Sequence, residues 1–183
     1  MEMDDLWQDA LAALERGDFT RLQELLGGPE GFDERITAWH KGGAFDIERE
    51  ALAEAFACAC FLGRTGLAEY LLDSGVDPVA GKNTGQTGFH YAVIGGHLDT
   101  VRLLIERNVP MEVENMYGGT VLGQALWSAV NQPKDSHAAI IEALIEARGK
   151  IEPGTVEWWN AQSHTSIETK MRVADALRRA GVK

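Results

Sequence analysis

An all-α solenoid of about five stacked helix–turn–helix repeats, with short hairpin fingers between them, is the fold that the sequence predicts, on three observations. The first is self-similarity. Gly85-Gln86-Thr87-Gly88-Phe89-His90-Tyr91-Ala92 lies over Gly118-Gly119-Thr120-Val121-Leu122-Gly123-Gln124-Ala125, with Thr87 and Thr120 33 residues apart. The same step backwards sets Phe89 on Phe56, Ala92 on Ala59, Gly96 on Gly63, Leu104 on Leu71 and Ile105 on Leu72. A fixed period of this size marks a repeat array. The second observation is an apolar stripe at helical spacing, as in Leu98, Val101, Leu104 and Ile105. The third is punctuation: Thr87 can cap a helix start through its side-chain oxygen, and Gly95-Gly96 lets the chain leave that helix.

The elements follow along one domain, residues 1–183. A first repeat, approximately 4–28, holds Leu11-Ala12-Ala13-Leu14-Glu15-Arg16-Gly17-Asp18 and then Leu22 to Leu26. A non-repeat insertion, approximately 29–46, breaks the period: the turns at Gly17 and Gly63 are 46 residues apart, 13 too many. Within it Phe32 to Trp39 can form an extra short helix. It is either a connector whose aromatics pack on the second repeat or a recognition loop, with Trp39 and His40 as contacts. The second repeat, approximately 50–82, ends Leu71-Leu72-Asp73-Ser74-Gly75. The third is approximately 83–115. In the fourth, approximately 116–152, the stripe of Ile141, Leu144 and Ile145 arrives late, because Asn131-Gln132-Pro133-Lys134-Asp135-Ser136 is a polar insertion with a helix-stopping proline. The last, approximately 153–183, carries Arg172-Val173-Ala174-Asp175-Ala176-Leu177 with charges on its outer side, as suits a repeat that caps a stack.

Thr87-Gly88-Phe89-His90-Tyr91-Ala92, then Gly96-His97, then Val101-Arg102-Leu103-Leu104-Ile105 resembles the T-P-L-H-x-A, G-H and V-x-L-L-L sequence of the ankyrin repeat, and the period agrees. The resemblance covers most of the chain and implies an L-shaped stack that binds another protein through a concave groove. His90 and His97 take framework positions, where the resemblance implies hydrogen bonding at helix starts. The departures are Gly88 in place of proline, Gly123 in place of histidine in the fourth repeat, and Glu54 and Ala57 where threonine and histidine would stand in the second.

Composition bounds the function. Hydrophobic residues are 45% and charged residues 25% of the 183, which suits a folded chain rather than a disordered one. The apolar run from Ala51 to Leu62 is too short to cross a membrane, and the acidic start does not read as a secretory signal. The expectation is a cytoplasmic monomer. The net charge is −11, of which the first 50 residues, with 13 acidic and 5 basic side chains, contribute −8. That balance disfavours nucleic acid; it either keeps the chain soluble or steers a basic partner. Cys58 and Cys60, at i, i+2, read as small buried residues of a reducing compartment.

No catalytic set emerges. His40, His90, His97, His137 and His164 form no metal-ligand pair, residues 81–85 make a turn without phosphate-loop spacing, and Glu142 with Glu146 reads as a solvated face. The expectation is a non-enzyme with no cofactor and no metal. Carrying the family's groove over residue by residue places Phe61 and Cys58 of the second repeat, Tyr91 and Ile94 of the third, and Gln124 and Trp127 of the fourth at variable, groove-facing positions. The finger before the fourth repeat adds Glu112, Glu114, Met116 and Tyr117; Glu112 and Glu114 alternate so as to face one way and accept a basic side chain. Phe61, Tyr91, Ile94 and Trp127 would then form an apolar strip, unless the insertion at Asn131 or the tail folds over it. One of Trp158 and Trp159 is expected to pack on the fourth repeat and the other to extend the strip. The alternatives are a small-molecule or enzymatic pocket near residues 29–46, or a unit of a homo-oligomer.

Overall fold

A computed structural model describes residues 3–80 and 85–181, so the turn expected at residues 81–84 lies outside the described residues. The described chain is helical throughout, without a strand. Helices come in antiparallel pairs: α1 (Met3–Arg16) with α2 (Phe19–Leu25), α4 (Arg49–Phe61) with α5 (Thr65–Asp73), α6 (Gly88–Gly95) with α7 (Leu98–Glu106), α8 (Val121–Asn131) with α9 (His137–Glu146), and α10 (Thr155–Ala161) with α11 (Ile167–Arg179). A further helix, α3 (Gly28–Lys41), stands between the first two pairs.

Local chemistry sets the helix starts. Asp18, Thr120 and Ser166 accept the backbone N–H groups of Arg21, Gly123 and Thr169 at 3.0, 3.2 and 3.1 Å. Each bond satisfies a donor that the first turn of a helix leaves free. At α6 the capping is reciprocal: Thr87 N–H donates to His90 Nδ1 at 3.2 Å while the Thr87 hydroxyl faces the His90 backbone N–H. The helix ends at Gly96 with φ +73°, a left-handed turn that favours glycine.

The pairs stack in two layers. α1, α4, α6 and α8 pack side by side in the inner layer, and α5, α7, α9 and α11 in the outer one. Small side chains let the inner helices approach: α4 packs on α6, and Ala53, Ala55, Ala57 and Ala59 of α4 and Ala92 of α6 are all buried. Leu71, Leu104, Leu144 and Leu177 carry the core through the outer layer, each buried. Each such side chain contributes about 1.5–3 kcal/mol when fully removed from water. The finger before α8 is a turn closed by Asn115, whose backbone N–H donates to Gly119 O at 3.0 Å.

The insertion is part of this packing. α3 buries Phe32, Ile36 and Trp39, at i, i+4 and i+7, so one apolar stripe faces the protein. Trp39, only 8% exposed, meets Trp7 edge-on at 5.0 Å, and Trp7 in turn meets Phe45 at 5.1 Å. On its other side Asp33 accepts from Arg64 Nε and Nη2 at 3.0 and 2.6 Å, and His40 Nδ1 shares a 2.8 Å hydrogen bond with the Tyr70 hydroxyl. These bonds reach α5. Trp39 thus packs on Trp7 of α1 and His40 bonds to Tyr70 of α5, the stripe that carries the aromatic side chain being also the stripe that must be buried. Most of the stretch 29–46, expected to border a pocket, is α3, packed through that stripe.

Candidate functional site

Three histidines fix how neighbouring pairs sit. His97 Nε2 donates to the Phe61 carbonyl at 2.8 Å, and its ring lies against Gly63 and Gly95, where an added Cβ would come within 2.4 Å of it. His90 Nε2 donates to Gly119 O at 3.1 Å, joining α6 to the following finger. His137 Nε2 donates to Val93 O at 3.1 Å, with its Nδ1 accepting the Lys134 backbone N–H. In all three, burial is the largest cause that pushes the imidazole below its ordinary value of 6.5, so the rings are neutral donors. The role of His137 escapes a reading by period, because the polar insertion displaces it. The signal is local: His137 stands four residues before Ile141, as His97 does before Val101.

The polar insertion is held down rather than folded over the groove. Lys134 Nζ donates to Gly95 O at 2.7 Å and Ser136 Oγ to Gly96 O at 2.6 Å.

The expected apolar strip divides into two parts. Phe61 and Tyr91 are half-buried and belong to a cluster with Phe19 of α2: Phe19 lies 5.8 Å from Phe61 and 5.0 Å from Tyr91, and Phe61 and Tyr91 are 6.0 Å apart. Cys58 of the same face is fully buried. Phe19 covers this end, so its aromatics serve the core as much as the surface. The other end is open. α10 packs on α11, and α11 on α9, but α10 does not close on α8 as α8 closes on α6. The gap is a cleft of about 840 Å³. Ile94, Gln124 and Trp127 line it from α6 and α8, Tyr117 from the finger, and Trp158 from α10.

Trp127 is 46% and Trp158 39% exposed, whereas the neighbouring Trp159 is buried and its indole N–H reaches Lys170 O at 3.5 Å. The two adjacent indoles lie 6.4 Å apart, one turned to the core and the other to the cleft. The finger holds its shape through Asn115, a buried side chain whose Oδ1 accepts the N–H groups of Tyr117 and Gly119, both at 3.0 Å. Its Nδ2 donates to Gln124 at 3.4 Å, and Gln124 donates on to Ser128 at 3.1 Å.

The acidic pair of the finger serves the fold. Glu112 accepts the Lys150 backbone N–H at 2.8 Å, and Lys150 Nζ is paired with Glu152 at 2.6 Å. The hydrogen bond and charge of Glu152, then Glu114 and Glu112, push the Lys150 ammonium above its ordinary value. The basic side chain that Glu112 and Glu114 face is thus this chain's own, and neither lines the cleft. Met116, 64% exposed, sits at the fingertip outside the cleft lining. Gln86, Asn115, Gln132 and Thr155 also line the cleft and are absent from the sequence expectation.

No carboxylate, histidine, cysteine, lysine or arginine is among the lining residues. Burial pushes the thiols of Cys58 and Cys60 well up, away from nucleophilic thiolate. Among the described residues no group of histidine, cysteine and carboxylate side chains could hold a metal ion, and no helix is long and apolar enough to cross a membrane. What the cleft offers chemically is aromatic faces and neutral hydrogen-bonding groups.

A family profile described as ankyrin repeats (3 copies) matches residues 10–114 and 55–155. The chain is also similar to an ankyrin repeat-containing protein of Schizosaccharomyces pombe, 37% identical over 99 residues that cover 48% of each chain. The match thus spans about half the length of that relative.

Proposed function

This chain belongs to the ankyrin-repeat family, and from that premise we propose that it is a non-enzymatic module that binds another protein at the concave end of the stack, in the cleft between α8 and α10. Ankyrin repeats are in general protein–protein interaction modules, and the family is typically non-enzymatic. The observation that carries the reading is the pair of half-exposed indoles, Trp127 and Trp158, on facing walls of an uncharged cleft. Large aromatics beside a pocket dominate interface energetics, and a folded chain rarely leaves them uncovered without use. Tyr117, Ile94 and Gln124 extend that contact surface, with Met116 at its edge. Phe61 and Tyr91 support it from the packed end. The net charge of −11 favours partners with basic residues outside the cleft-binding segment. Cys58 and Cys60, free and buried, support a reducing compartment such as the cytoplasm, and we read the chain as a monomer.

The test is affinity capture from lysate of the source organism with the wild type and a Trp127→Ala/Trp158→Ala variant. Both indoles are half-exposed, Trp158 with one core neighbour, Trp159, whereas removing Tyr91 would disturb the Phe19 cluster. A protein retained by the wild type and lost by the folded variant supports the reading. Equal retention by both places the binding surface elsewhere.

A further inference from the structure

The lining of the α8/α10 cleft has an imbalance that selects among peptide ligands. Its two tryptophans add donors without acceptors, while the hydroxyl and carboxamides of the lining both donate and accept. The indole N–H groups of Trp127 and Trp158, the hydroxyl of Tyr117 and the carboxamide of Gln132 are engaged by no hydrogen bond among the described residues, although the backbone carbonyls of Trp127 and Trp158 accept from Asn131 and Gln162. Indoles donate only, and a carboxamide nitrogen offers two hydrogens. No ionised side chain lines the cleft, so a charged ligand would lose its hydration without gaining a counter-charge.

A ligand suited to this wall is neutral, apolar and rich in carbonyls that lack donors of their own. A helix suits it less, because its carbonyls are already bonded within it and offer the two indole N–H groups little. A β-strand brings an N–H for every carbonyl and needs a sheet edge, which the described residues lack. A run of prolines in the polyproline II conformation does fit: it has no backbone N–H, its carbonyls point outwards unbonded, and its flat rings lie against aromatic faces.

We propose that the α8/α10 cleft takes a proline-rich polyproline II segment of a partner protein, seated between Trp127 and Trp158. The proposal rests on the protein-binding reading above and narrows it to one ligand chemistry.

The experiment uses the full chain labelled with ¹⁵N and follows its indole N–H resonances during titration with a capped oligoproline decamer. A capped Gly-Ser peptide of equal length and a basic amphipathic helical peptide serve as comparators. The expected result is a saturable shift of the Trp127 and Trp158 indoles, none at Trp39 or Trp159, and none with Gly-Ser. Trp158→Ala, checked for native circular dichroism, should weaken the oligoproline by about tenfold or more. As a second variant, Gln132→Ala, an exposed change, should weaken it without altering thermal stability. No saturable shift at millimolar oligoproline overturns the proposal, as does equal binding of Gly-Ser. If the helical peptide shifts the two indoles instead, the proline-rich assignment fails while the groove reading stands. Equal capture by wild type and double variant from lysate, with no peptide binding, sinks both.

Discussion

The Nε2 of His137 donates to the carbonyl oxygen of Val93 across 3.1 Å, repeating one pair further along the bond that His97 makes to Phe61. Both bonds run from the start of an outer helix to the end of an inner helix in the preceding pair, and both need a neutral ring whose other nitrogen is free to accept. His137→Ala removes two hydrogen bonds, one to the Val93 carbonyl, which keeps the Gly96 N–H at 3.0 Å, and one from the Lys134 backbone N–H. The expected loss is about 1–3 kcal/mol of unfolding free energy, similar to His97→Ala. Urea denaturation measures it, and a loss well below that of His97→Ala would show that the late bond is not structurally equivalent.

The same rings make stability depend on pH, with a definite sign. His90, His97 and His137 are held below the ordinary value of 6.5, mainly by burial, so near and below that pH the unfolded chain binds protons that the folded chain does not. Stability then falls as pH falls, starting near 6.5 and continuing until the folded rings themselves take up protons. Each ring contributes a slope of at most about 1.4 kcal/mol per pH unit. Unfolding midpoints between neutral pH and about 5, above the range where ordinary carboxylates titrate, should drop steadily. A flat profile over that interval would rule out the neutral-histidine assignment. Replacing one of the three should flatten the slope by its share.

The insertion and the cleft respond oppositely to loss of a tryptophan. Trp39 is 8% exposed between Trp7 and the stripe of α3, whereas Trp127 is 46% exposed. Trp39→Ala should cost about 3–5 kcal/mol by opening a cavity, and Trp127→Ala no more than about 1 kcal/mol. Thermal melting of the two variants decides this, and comparable losses would contradict the division between framework and contact residue.

These contrasts show what the sequence carries and what it does not. The segment from Thr87 to Ala92, with Gly96 after it, announces a cap and a turn, because each depends on residues within one turn of one another, whereas the His97 clamp closes on Phe61 of the preceding pair. The extra helix is partly legible in the same way, through Phe32, Ile36 and Trp39 at helical spacing, but the burial of Trp39 depends on Trp7, more than thirty residues away. The division of the aromatic strip depends on Phe19, which reaches Tyr91 across two pairs. Trp158 and Trp159 are adjacent and chemically identical; only the packing of α11 decides which is core. The cleft is a failure of two helices to close, and no local pattern encodes a gap.

Gly88 provides a test in which family preference and packing disagree. Ankyrin repeats usually have proline at this position, and proline at a helix's first residue is ordinarily favourable. Here a Cβ on Gly88 would come within 2.5 Å of Phe56 Cε1 and 3.2 Å of Cys60 Sγ. Phe56 is 1% exposed and Cys60 fully buried, so neither can withdraw without moving the core. Phenylalanine at 56 and glycine at 88 are thus a complementary pair, the larger ring occupying the space that the missing side chain leaves. Gly88→Pro and Gly88→Ala should each destabilise by about 1–3 kcal/mol, as overpacking does. Phe56→Leu alone should also destabilise, by leaving part of that space empty. Combined with Gly88→Ala it should recover a portion of the loss, giving a non-additive double-mutant cycle. If Gly88→Pro instead raises the unfolding midpoint, the contact with Phe56 is looser than the geometry requires and the local preference for proline prevails.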